Sequence, residues 1–88
     1  MKIKYNGLEH ILVEDAHICS DSSYEALAIR EGDSIDLDGY QSVYRVTWSI
    51  LPDYNPVDND ESGACNWEHP ETVEKSNIEY NATNKQFA

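Results

Sequence analysis

The chain has 88 residues, with 17 Asp plus Glu against 6 Lys plus Arg, for a net charge of −11. That describes one small acidic domain with a thin core. No apolar run approaches a membrane span, no apolar stretch behind Lys2 and Lys4 makes a signal peptide, and the shortage of cations argues against direct binding to a phosphate backbone.

The first element reads as a hairpin. Ile3-Lys4-Tyr5 and the run from Leu8 to Glu14 flank Asn6-Gly7, a pair suited to a two-residue turn with positive φ at both positions. Residues 20–31 admit two readings. As a helix, Ser20 or Asp21 caps the start, Gly32 stops the end, and Tyr24, Leu27 and Ala28 share a face. As a strand, neither face is cleanly apolar. A short helix near 22–30 is therefore expected.

Residues 34–38 alternate strictly, with Ile35 and Leu37 on one side and Ser34, Asp36 and Asp38 on the other, so a strand is expected there. Residues 42–51 form the strongest strand. Tyr44, Val46, Trp48 and Ile50 make an apolar face, and the β-branched and aromatic content agrees with the period. Pro52, Pro56, Pro70 and Gly63 then break the pattern, leaving a long acidic loop over 52–71. A last strand is expected within 72–80, and 81–88 reads as a flexible tail.

The expected fold is a β-rich α+β domain over residues 1–80: a small antiparallel sheet with an N-terminal hairpin and one short helix. A small all-β barrel is the alternative if 23–30 is extended.

Several constellations carry possible chemistry. Asp58-Asn59-Asp60-Glu61-Ser62-Gly63 opens like a calcium loop, but position 12 is His69 rather than Glu. His17-x-Cys19 and Cys65-x-x-x-His69 offer zinc-type donors, without the spacing of a known zinc module. A solvated acidic loop and ordinary thiols are the plainer reading, so no metal and no cofactor are expected. Cys65 among carboxylates makes a poor nucleophile. No catalytic motif is present, and the chain is not expected to be an enzyme. Two cysteines without an export signal fit free thiols in the cytoplasm.

The charge is unevenly placed. Residues 14–38 carry eight carboxylates against Arg30, and residues 58–74 carry six with no Lys or Arg. Solubility alone asks for a net charge of about 2–8 in a small domain. A larger excess costs stability through self-repulsion, which a binding partner would offset. The expected binding residues are Asp33, Asp36, Asp38, Asp58, Asp60, Glu61 and Glu68, with Trp67 as an aromatic anchor. In this picture Asp36 and Asp38 form a carboxylate ladder beside the acidic loop. Trp67 folding back as a lid on the core is the alternative to the anchor.

In size, anionic charge, aromatic-rich β segments and lack of a catalytic motif, the chain resembles the small acidic inhibitors that phages and mobile elements direct against host defence. Anti-CRISPR and anti-restriction proteins are typical of that group. The resemblance implies a stoichiometric inhibitor that occupies the basic nucleic-acid-binding surface of a partner, such as a nuclease or defence complex, and touches neither nucleic acid nor membrane. A small interaction module binding through Trp67, Tyr54 and a strand edge is the second expectation, and a metal-binding protein the third.

Overall fold

In the computed structural model, which describes residues 1–88, Asn6 and Gly7 take φ of 51° and 80° and join β1 (Lys2–Tyr5) to β2 (Leu8–Leu12). The hairpin is the one its turn residues predict. The remaining strands are β3 (His17–Ser20), β4 (Ser23–Arg30), β5 (Tyr40–Ser49), β6 (Thr72–Asn81) and β7 (Gln86–Phe87). All pairings are antiparallel, in one open sheet of order β1-β2-β4-β5-β6-β7. β3 shares the edge of β4 with β2: β2 pairs with the C-terminal part of β4 and β3 with its N-terminal part. Between them the Val13 N–H still donates to the Leu27 carbonyl at 2.9 Å. β2 and β3 therefore behave as one strand broken at residues 13–16.

The expected helix near 22–30 is absent; those residues are β4, and the only helical element is a 3-10 turn over Glu61–Gly63. Pairing on both sides overrides the modest helix propensity of Ala26 and Ala28. Their small side chains are buried because Tyr24, Ala26 and Ala28 lie opposite Trp48, Val46 and Tyr44 on β5. The domain is thus β-rich with no α-helix, and its sheet is open rather than closed into a barrel.

The expected strand at 34–38 is a turn. The Asp36 carboxylate accepts the backbone N–H groups of Asp38 and Tyr40, each at 2.9 Å, and Gly39 sits at φ 89°. Asp-x-x-Gly turn chemistry prevails over a five-residue alternation. The C-terminal residues do not trail away either. Asn81 Oδ1 accepts the N–H groups of Thr83 and Asn84 at 3.0 Å, and β7 returns so that Phe87 lies 4.9 Å from the Tyr80 ring.

One face of the sheet carries the core. Ile3, Tyr24, Ala26, Ala28, Val46 and Trp48 are buried there, closed over by Ala64 and Cys65 from the long loop. The loop is held by a bridge between Ile50 and Cys65 and by the Leu51 N–H donating to the Ala64 carbonyl at 2.8 Å. The opposite face is uncovered and mixes half-buried Ile11, Leu27 and Ile29 with the pairs His17–Glu25 and Arg45–Glu74.

Candidate acidic binding site

β5 runs ten residues from Tyr40 to Ser49, about 30 Å at strand rise. The turn holding Asp33, Asp36 and Asp38 precedes it, and the loop holding Asp58, Asp60 and Glu61 follows it. The two acidic groups therefore lie at opposite ends of the sheet, and the expected ladder beside the loop does not form. Asp33 accepts the Tyr44 hydroxyl at 2.9 Å, and Asp36 caps its own turn. Both carboxylates serve the fold. Leu37, between Asp36 and Asp38, is fully exposed at the tip.

At the other end, Trp67 turns inward. Its ring meets Trp48 edge-on at 5.1 Å and Tyr24 at 5.3 Å, and its indole N–H donates to the Ser62 carbonyl at 3.0 Å. The Trp48 indole in turn donates to the Trp67 carbonyl at 3.0 Å. Trp67 is thus the lid, not a free anchor: its large apolar area is spent on the core, and both indole donors are satisfied. The interaction-module reading loses its principal residue. Glu68 points elsewhere, sharing a hollow with Lys2, Lys4 and His69 beside β1.

The packed lid leaves an open hollow of about 660 Å³ at its side. Its apolar walls are Ile18 from β3, Tyr24 from β4, and Ile50, Tyr54 and Pro56 from the chain after β5. Its acidic lining is Asp21, Asp60 and Glu61, and no Lys or Arg lines it. Tyr24 donates to Glu61 Oε1 across a long 3.4 Å. Burial pushes the Tyr24 phenol above its ordinary range, and the charge of Glu61 adds to this, so the hydroxyl stays protonated and available as a donor. Asp60 accepts the Ser62 hydroxyl, and Asp58 accepts the Asn55 amide at 3.0 Å.

Of the acids expected to bind, the structure brings Asp60 and Glu61 to this hollow with Asp58 in the same loop, and it sets Asp33, Asp36, Asp38 and Glu68 apart. Asp21, Tyr24 and Ile18 were not expected here. Asp21-Ser22 is the turn between β3 and β4, and only a strand reading of 23–30 would have placed it beside the loop.

No three His, Cys, Asp or Glu side chains converge to hold a metal ion. His17 is exposed between Glu14 and Glu25 at 3.4 and 3.3 Å, while Cys65 is buried at the core. Burial raises the Cys65 thiol above its usual range, which leaves it in the unreactive form. No helix is long and apolar enough to cross a membrane.

Comparison with protein-family models, curated proteins and solved structures finds no match for this chain.

Proposed function

We propose that the protein is a non-enzymatic, stoichiometric inhibitor that binds a basic nucleic-acid-binding protein through its carboxylates. The supporting observation is their freedom from cations. The ion pairs of the molecule join Lys2 to Glu31, His17 to Glu14 and Glu25, and Arg45 to Glu74. None of them includes Asp33, Asp36, Asp38, Asp58, Asp60 or Glu61, whereas Glu68 has Lys2 and Lys4 beside it in its hollow. A body 47 Å long with eleven net negative charges carries about one per 4.3 Å. A single strand of duplex DNA carries one per about 3.4 Å, so a groove built for one phosphate strand meets a comparable field. Free thiols at Cys19 and Cys65 suit action in the reducing cytoplasm.

Affinity capture at low and high salt, followed by competition, tests this reading. The captured partner should be basic, should bind about one equivalent of the chain, and should lose its nucleic acid as the chain is added. Capture should weaken steeply with salt, because the screening length contracts from about 8 Å at physiological ionic strength to about 3 Å at 1 M. A partner that keeps its nucleic acid, or salt-insensitive capture, overturns the proposal.

A further inference from the structure

The hollow between the β3–β4 turn and the long loop differs from the acidic Asp33–Asp38 turn. It joins apolar walls to uncompensated carboxylates. We infer that it seats an arginine side chain of the basic partner; this rests on the function proposed above and gives it a location.

Three properties of the hollow select that occupant. Its walls are aromatic and aliphatic, which suits the methylene stem of a long cationic side chain and the flat face of a guanidinium. Its carboxylates belong to the exposed residues Asp21, Asp60 and Glu61, which a forked donor can reach from solvent while its stem lies against the apolar walls. Glu61 is engaged only by the long contact from Tyr24, so its oxygens retain accepting capacity.

Lysine fits less well. An ammonium is compact and strongly hydrated, and it loses more on entering a partly apolar site than the weakly hydrated, stacking guanidinium does. A bare metal ion fits least, since no three donor side chains converge. An anion meets only like charge. The Asp33–Asp38 turn lacks the combination altogether: two of its carboxylates are already engaged by Tyr44 and by the backbone. That turn contributes long-range attraction, and the hollow contributes residue-level recognition.

The test uses the full chain and N-acetylarginine N-methylamide, followed by NMR shifts of the backbone amides. The neutral isostere N-acetylcitrulline N-methylamide and the lysine counterpart serve as controls, and a deca-arginine peptide is titrated in parallel. Saturable shifts should centre on Ile18, Tyr24 and Tyr54, stay absent with citrulline, and be weaker with lysine. The double variant Asp21→Asn with Glu61→Gln keeps the shape and removes two charges; it should weaken arginine binding about tenfold or more. Asp36→Asn with Asp38→Asn should weaken arginine binding far less than the hollow variant does. Equal shifts at Asp36–Asp38, or an unweakened Asp21→Asn/Glu61→Gln variant with a native spectrum, overturn the assignment. Salt-dependent deca-arginine binding with a silent hollow would reject the arginine seat while leaving the broader function standing. No deca-arginine binding at all would reject both.

Discussion

The two ends of the sheet solve the same problem in different ways. At the end bearing Gly32 and Gly39, polar groups are buried in a connected set. Arg30 Nε donates to His10 Nε2 at 3.0 Å, the Arg30 guanidinium lies 3.9 Å over the Tyr44 ring, and Tyr44 donates to Asp33. Asn81 ties β6 to the same corner by donating to the Asp38 carbonyl at 3.1 Å. At the other end, burial is aromatic: Trp48, Trp67 and Tyr24 meet edge to face under the long loop. Carboxylates at the first end are structural members, whereas those at the second surround an unfilled hollow. Similar acidic composition thus carries two roles, and geometry alone separates them.

Perturbing each end sharpens the contrast. Trp67→Ala should have the largest effect, about 3 kcal/mol of lost stability by urea unfolding, because it removes the lid from Trp48. Hydrogen exchange should then speed up around Ala64 and Cys65 and leave β6 and β7 protected.

Acid should act next, and at the polar end. Burial and the Arg30 guanidinium hold His10 below the usual histidine range, with the Leu8 backbone and Asp33 pulling the other way. His10 Nε2 accepts from Arg30, so the neutral ring carries its proton on Nδ1, which is buried without a partner. Its contribution to stability is complete above the unfolded value of about 6.5 and is lost as pH falls through the lower folded value. Urea midpoints of the wild type should fall across that window, and His10→Leu should flatten the slope. An unchanged slope in that variant would place the acid sensitivity elsewhere.

Gly39→Ala should cost about 1–2 kcal/mol. At φ 89° a Cβ would stand 3.0 Å from Asn81 Nδ2 and push on the bond to Asp38. Smallest is the pair Asp36→Ala and Asp60→Ala. The first removes a carboxylate that caps two N–H groups and should cost about 1 kcal/mol, and the second should stay within about 0.5 kcal/mol. Equal costs would erase the distinction between structural and surface acids.

Much of the sheet was legible in the residues. Asn6-Gly7 marked the hairpin, and the alternation of Tyr44, Val46 and Trp48 marked β5. The β4 strand was hidden because its buried positions include Ala26 and Ala28. Alanine weakens a period-2 pattern while raising helix propensity, and only the bulky partners Val46 and Tyr44 explain why small residues belong there. Ser34 to Asp38 misled in the opposite direction, since a short alternation cannot show that Asp36 will bond its own backbone. The acidity pointed to a cationic partner, but the hollow depends on Asp21 and Glu61, 40 positions apart, lining one cavity with Tyr24. No local pattern encodes that juxtaposition.

The excursion from Ile50 to Glu71 separates two strands that are neighbours in the sheet. Its length has a kinetic consequence. Short hairpins close first, and a long connection closes more slowly because more chain entropy must be given up. Pairing of β4 with β5 is therefore expected to precede pairing of β5 with β6, and until the loop closes Trp48 has no cover, an order that pulse-labelled hydrogen exchange during refolding would check. Mutual repulsion between molecules of net charge −11 opposes their association in that interval.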